Sequence, residues 1–385
     1  MSIGIGLIGP GRRLRSVVAR LLREGGEGLK VVAAYDPDPI SIEETRTEFG
    51  DVRVCGSEAE LLGSAEVNWV FIGSFNNRHG AQAVAALRSG KGVFCEKPLA
   101  TTLGDCVAVR NAVKETGRAF AFGLVLRYSP HYRKLKSLVE EGTIGRIVSF
   151  EFNETLNFFH GGYIFGNWRR QKELAGSHML EKCCHDLDLA NWITGSLPVK
   201  VASLGGRDVF GPENAHLAEG LARGANGREA YRVWDDNHGV DPFSEGAEIN
   251  DNQVVILEYA NGSRATFHTN CNTALPERRF YLCGTKGTLR GDAITGRIEL
   301  RRIGHDTEVE YFDTNTDAMP GHAGGDEVMA NGLAATLLNG ETPLATVEDG
   351  VRACVAAFGI DQACETGEMV DLRPLWQACQ IDLST

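Results

Sequence analysis

The stretch IGIGLIGPGRRLRSVVARLLRE, from Ile3 to Glu24, sets the fold. A short apolar, β-rich run breaks at Gly9-Pro10-Gly11, and an amphipathic helical pattern follows at once. A strand, a glycine turn and a helix in that order open a βαβ unit, whose helix N-terminus offers unpaired amides to a ligand. The pattern then repeats. KVVAAYD, VNWVFIG, GVFCEKP and AFAFGLVL read as strands, and IEETRTEFG, GAQAVAALRSG and TTLGDCVAVRNAVKETG as helices between them. Such alternation predicts right-handed crossovers and a parallel sheet, an α/β domain over residues 1–126. Punctuation agrees: Ser57 with Glu60 and Thr102 with Asp105 have capping-box spacing, and Gly90 and Gly117 fall where helices should stop.

Beyond residue 126 the periodicity changes. SPHYRKLKSLVEEG reads as a helix and IVSFEFNE as a strand, while VVILEYA and SRATFHT flank Asn261-Gly262, which predicts a hairpin with a type I′ turn. FYLCGTKGTLRG and RIELRRIG continue the strands, and helical patterns run over Asp326–Leu338 and Val347–Cys364. These elements predict an α+β domain over residues 127–385, its sheet mainly antiparallel. Gly205 to Gly246 has weak periodicity and reads as a long loop over or near a site.

With 385 residues, 43% hydrophobic and 23% charged, the chain suits two domains with cores of their own. No apolar run approaches the ~18 residues of a membrane span. The first residues lack the features of a secretory signal, so a cytoplasmic location is expected. Ten cysteines without framework spacing read as reduced thiols. Residues 1–126 hold 15 Lys/Arg against 14 Asp/Glu, so of the chain's net −12 the remainder carries −13, with 24 Lys/Arg against 37 Asp/Glu. An acidic second domain argues against a nucleic-acid or anionic-membrane partner and favours a neutral substrate.

Three motifs carry chemistry. Gly9 and Gly11 fit a dinucleotide turn, in which the pyrophosphate approaches the backbone, and Asp36 after the second strand can accept ribose hydroxyls. Leu14 stands where a third glycine is usual. No arginine follows Asp36 directly, which favours NAD over NADP. Glu96-Lys97-Pro98 ends a strand at the edge where such sheets bind ligands, so Lys97 is placed for work, although a surface lysine in a plain turn fits as well.

The third motif is GSHMLEKCCHDLDLANW, Gly176 to Trp192. On one helix, Glu181, His185, Asp188 and Trp192 fall within about 60° of arc. A histidine between carboxylates suits general acid/base work, and a solvated polar face is the plainer alternative. Adjacent Cys183 and Cys184 cannot both join His185 on that arc, which argues against a metal site and for buried thiols. His160, Tyr163, Trp168 and Arg169 precede the helix as further polar candidates.

Taken together, IGLIGPG, HGAQAVAALRSGKGVFCEKPLATT, RYSPHYRKLKSLVEEGTIGRIVSFE, LEKCCHDLD and the late GHAGGD from Gly321 to Asp326 resemble the Gfo/Idh/MocA oxidoreductases. The resemblance implies an NAD(P)-binding Rossmann domain and a second domain with a large open sheet, often used to form dimers or tetramers. It implies NAD, with NADP as second choice, and hydride transfer on a sugar, cyclitol or related polyol. Lys97 would lie between nicotinamide and substrate, His185 would be the acid/base residue, and Asp188 would lie close to the substrate. Glu181 replaces the family's usual aspartate. Gly9, Gly11, Arg12, Arg13, Asp36, Ser74, Asn76, His79, Glu96 and Lys97 would serve the cofactor, and Arg127, Trp168 and Arg169 the substrate. Two other outcomes of the same scaffold are a lyase or glycosidase in which NAD oxidises the substrate transiently, and a non-catalytic NAD-binding sensor.

Overall fold

The computed structural model describes residues 2–232, 239–315 and 322–383, and it divides the chain into two units. The first comprises Met1–Pro130 and Thr316–Cys354. Its six strands are β1 (Ile3–Ile8), β2 (Leu29–Tyr35), β3 (Arg53–Val54), β4 (Trp69–Ile72), β5 (Gly92–Cys95) and β6 (Phe120–Phe122), all parallel, in the order β3-β2-β1-β4-β5-β6. β4 and β5 are buried along their whole length, as strands covered on both faces must be. Each buried Val, Ile or Phe there contributes about 1.5–3 kcal/mol. The strand order reverses between β1 and β4, which is where sheets of this kind bind ligands. Ser57 and Thr102 cap their helices as the sequence predicts, and Gly117 ends its helix in the left-handed region.

The first unit is not one continuous stretch of chain. The helix Gly325–Asn339 packs on the helix Arg12–Gly25, where Arg20 Nε reaches Glu327 Oε1 at 2.9 Å. This long-range packing, invisible to local periodicity, returns residues 316–354 to the first unit. Helix Val347–Thr366 accordingly contributes residues to both units.

The second unit comprises His131–Asn315 and Val355–Thr385. It holds β7 (Ile147–Asn157), β8 (Pro198–Gly206), β9 (Asn252–Tyr259), β10 (Arg264–Thr273), β11 (Arg279–Gly284), β12 (Gly287–Asp292), β13 (Arg297–Arg302), β14 (Val309–Asp313) and β15 (Val370–Asp371). Their order is β14-β13-β12-β11-β7-β10-β9-β8-β15, with β7 and β10 parallel and every other pair antiparallel. The sheet has a core face and an open face: Val255 and Leu257 of β9 are buried, whereas Val254 and Ile256 between them are exposed.

The β9–β10 hairpin forms, but not with the expected type I′ turn. Only Gly262 takes a positive φ, +81°, and its N–H donates to Tyr259 O at 2.9 Å, giving a three-residue connection with the glycine in the left-handed position. The seventeen-residue motif is also not one helix. Helix His178–Glu181 ends, Lys182 and Cys183 form a turn, and helix Cys184–Thr194 begins. In that turn the Cys183 N–H reaches back five residues to His178 O at 3.3 Å, while Lys182 is drawn to Glu154 of β7 at 3.4 Å.

Gly205 to Gly246 is more ordered than a plain loop. It includes the 3-10 turn Pro212–Ala218, and Phe210, Tyr231 and Phe243 share one hydrophobic cluster. Residues 233–238 of this stretch, and Gly321 of GHAGGD, lie outside the described residues. Among the described residues no helix is long and apolar enough to cross a membrane.

Candidate functional site

In the first unit the glycine turn lies between β1 and the helix Arg12–Gly25. Gly9 has φ +66°, and a Cβ there would meet the Ser74 Cα at 2.4 Å, so only glycine fits. Gly11 is the N-cap of the helix, with no side chain capping it, and a Cβ at Gly11 would meet nothing within 4 Å. An uncapped helix N-terminus opening on free space is what a pyrophosphate requires. Asp36, just past β2, accepts from the Asp38 N–H at 2.9 Å and the Ser41 hydroxyl at 3.0 Å. Burial pushes its carboxyl up, and those two hydrogen bonds oppose the rise. These groups fit NAD: amides for the phosphates and an acidic acceptor for the ribose.

Arg13 joins three segments. Its Nε reaches Glu96 Oε1 at 3.1 Å and its Nη1 reaches Asp326 Oδ1 at 2.7 Å, while Asp326 Oδ2 meets His322 Nδ1 at 2.9 Å. Burial would raise the Asp326 carboxyl, but His322 and Arg13 hold it well below its ordinary range. Arg13 is thus a tie between the glycine turn and the Glu96-Lys97 turn, and Arg12 is the exposed arginine of the pair. His79 is fully buried, with Nδ1 2.7 Å from Pro98 O and Nε2 3.1 Å from Ser74 O, and burial lowers its pKa. It braces the turn that presents Lys97. Ser74 donates to Gln82 Oε1 at 2.6 Å, and Asn76 is the buried first residue of helix Asn76–Arg88. Arg127 is 6% exposed and its Nη2 lies 3.0 Å from Asp349 Oδ1, an internal ion pair.

In the second unit Ser177 caps helix His178–Glu181, accepting from the Leu180 N–H at 3.0 Å and donating to Asp361 at 2.5 Å. Glu181 is buried, and its Oε1 accepts from Arg169 Nε at 3.1 Å. Arg169 also donates from Nη1 to the Tyr163 hydroxyl and to Asn167 Oδ1, each at 2.9 Å, and its guanidinium lies 4.5 Å from the Trp168 ring. His185 and Asp188 are buried one turn apart on helix Cys184–Thr194, so they share a face; Glu181 belongs to the preceding helix. The predicted arc therefore survives only for His185, Asp188 and Trp192.

A buried ion cluster flanks this helix. Arg278 is bidentate on Asp186, with Nε–Oδ1 2.8 Å and Nη2–Oδ2 2.7 Å, and its Nη1 lies 3.0 Å from Glu154 Oε1, to which Lys182 is also drawn. Burial alone would raise Glu154, but the two cations bring it down to about 2. Burial, followed by the Glu154 charge, pushes Asp186 up despite Arg278. His160 is lowered to about 3, first by burial and then by Lys182, so its ring is neutral. Glu154 and Arg278 were not foreseen: one sits inside a strand, the other before β11, and only tertiary packing brings them to Asp186.

Two family models match the chain, one on each side of about residue 130. Residues 3–124 match the family model described as oxidoreductase family, NAD-binding Rossmann fold, and residues 136–372 match its C-terminal alpha/beta domain. The chain is 25% identical over 381 residues to the 1,5-anhydro-D-fructose reductase of Ensifer adhaerens, covering 96% of this chain and 98% of that one. It is 31% identical over 214 residues to the inositol 2-dehydrogenase of Acidothermus cellulolyticus, covering 54% and 58%. A solved structure of levoglucosan dehydrogenase with NADH and levoglucosan shares the fold, with TM-score 0.79 and 18% identity over 97% of this chain and all of that one. With an NAD-binding Rossmann domain followed by the matching C-terminal domain, the chain belongs to the Gfo/Idh/MocA oxidoreductase family.

Proposed function

We propose that the protein transfers hydride between a nicotinamide and a hydroxyl-bearing or keto carbon of a sugar, cyclitol or related polyol. The observation that carries this reading is the Arg13–Glu96 pair, because one guanidinium holds the dinucleotide turn in register with the turn that presents Lys97. Bound NAD supplies the hydride acceptor, or as NADH the donor. The chain supplies the rest. In the oxidation direction His185 takes the hydroxyl proton on a ring nitrogen, and the Lys97 ammonium steadies the charge that develops on that oxygen. Asp188 accepts from substrate hydroxyls, and Glu181, anchored by Arg169, orients that group. Trp168, Arg169 and Arg127, the last paired with Asp349, are the substrate-contacting candidates.

The relatives named above act on an anhydro-sugar, a cyclitol and an anhydro-sugar again, which supports a polyhydroxylated small molecule as substrate. The test is absorbance at the reduced-nicotinamide band while dialysed protein meets NAD or NADP and a panel of sugars, cyclitols and glycosides, with product analysis alongside. Growth of the band with one polyol supports the reading. Product without growth of the band would replace it with transient oxidation, and bound NAD without product would replace it with a sensor.

We also infer a homo-oligomer. The open face of the second unit's sheet carries Leu204, 76% exposed, directly across from Val254, 50% exposed, with Ile256 at 60% two residues along β9. An apolar patch of this kind on a sheet is costly to leave in water, and a second copy would cover it.

A further inference from the structure

We propose that residues 205–232 and 239–246 act as a specificity element, in which Phe210 and Tyr231, with Asp251 beyond them, are positioning residues for the segment Phe158–Arg170. This rests on the polyol oxidoreductase reading. The segment needs support from outside. Its helix, Phe158–Phe165, has eight residues and no side-chain N-cap, too short to hold its shape alone.

Support comes from this element and from β10 on the side where the segment has glycines. A Cβ on Gly162 would lie 2.1 Å from Tyr231 O, and one on Gly161 would lie 1.8 Å from Cys271 O, so the helix backbone is seated directly against them. Phe210 stacks on Phe165 with ring centroids 4.5 Å apart, and Tyr231 meets Phe210 edge-on at 5.7 Å. Asp251 fastens the start of this element: its buried carboxylate accepts from the N–H groups of Asp208, Val209 and Phe210 at 3.0, 2.7 and 2.9 Å. At the other end Arg170 donates to the Ser244 hydroxyl at 2.7 Å and to Glu245 O at 2.6 Å, and the Val240 N–H donates to Gly166 O at 2.8 Å.

The same short segment carries Tyr163, Trp168 and Arg169, and Arg169 holds Glu181. The element therefore acts on the candidate substrate groups through one intermediate layer. Loosening it should change which polyol is accepted and how tightly, without touching the dinucleotide turn in the other unit.

The test uses the full-length protein and two variants. Asp251→Asn weakens the fastening of these three amides, and Arg170→Gln, at a partly exposed position, keeps the test alive if the first does not fold. Amide hydrogen exchange over residues 158–170 should quicken at least fivefold in either folded variant. KM for the best polyol should rise about tenfold, the preference between epimers should narrow, and the NAD dissociation constant should stay within twofold. Unchanged exchange in both variants overturns the proposal, and so does faster exchange with KM and epimer preference within twofold of wild type. If the wild-type protein turns over no polyol, the functional reading falls with it, while the exchange measurement still decides whether the element supports the segment.

Discussion

Leu14 and Gly73 divide one space between them: a Cβ on Gly73 would lie 2.7 Å from that of Leu14. In a dinucleotide turn the third glycine lets the helix approach the sheet closely. Here the missing side chain is moved to the end of β4, and the helix keeps a buried leucine. Gly73→Ala should therefore overpack this contact and cost about 1–3 kcal/mol in urea unfolding. Gly11→Ala, where a Cβ meets nothing, should leave the urea midpoint within about 0.5 kcal/mol of wild type yet weaken NAD in a fluorescence titration. Unaltered NAD affinity in Gly11→Ala would remove the pyrophosphate from that turn.

The Glu154–Arg278–Asp186 cluster sets an acid dependence of stability. Glu154 falls from an ordinary 4.5 to about 2 in the folded protein. Its contribution is therefore complete above pH 4.5 and is lost as pH falls toward about 2. Asp186, pushed the other way by burial, contributes stability that is lost as pH rises above its ordinary value. Urea midpoints across pH should flatten below pH 4.5 in Glu154→Gln and flatten above it in Asp186→Asn. Arg278→Met leaves two buried carboxylates with too little positive charge, and should cost about 3–5 kcal/mol at pH 7. A loss under 1 kcal/mol would show that the cluster is more solvated than its burial implies.

How much of this was legible in the sequence depends on the range of the interaction. The first sheet is set by local alternation and punctuation, and Ser57, Thr102 and Gly117 do what their types dictate. The Lys182–Cys183 break was not legible, because lysine and cysteine carry no breaker signal. The break coincides with Glu154, twenty-eight residues back in the chain, drawing Lys182 toward β7. Arg278 finds Asp186 across 92 residues. The return of residues 316–354 to the first unit and the seating of Gly161 against Cys271 O and of Gly162 against Tyr231 O are also packing facts that no periodicity records.

His185 should separate binding from turnover. If it moves the substrate proton, His185→Asn should lower kcat by about 10²–10⁴, with the NAD dissociation constant unchanged. Steady-state rates and a binding titration on the same preparation would check this. A variant with full turnover would transfer the role to another residue of the helix.

Asp36 should govern the choice between cofactors. Its carboxylate repels a 2′-phosphate and accepts from ribose hydroxyls, so the wild-type protein should prefer NAD. Asp36→Ser should bring the NAD and NADP values of kcat/KM closer by about tenfold, one good charge interaction being worth about 1.4 kcal/mol. Equal use of both cofactors by the wild-type protein would contradict the assignment.

The exposed row on β8 and β9 should govern assembly. Leu204 and Val254 face each other across the two strands, and Ile256 continues the row on the open face. A lysine at Ile256 would place a charge in the middle of any contact between copies, where an unpaired buried cation is strongly unfavourable. Light scattering on a sizing column should find the wild-type protein as a dimer or tetramer, and Ile256→Lys as a smaller species with an unchanged circular dichroism spectrum. Equal masses for the two proteins would place the contact, if copies associate, on another surface, and a monomeric wild type would leave the open face to solvent.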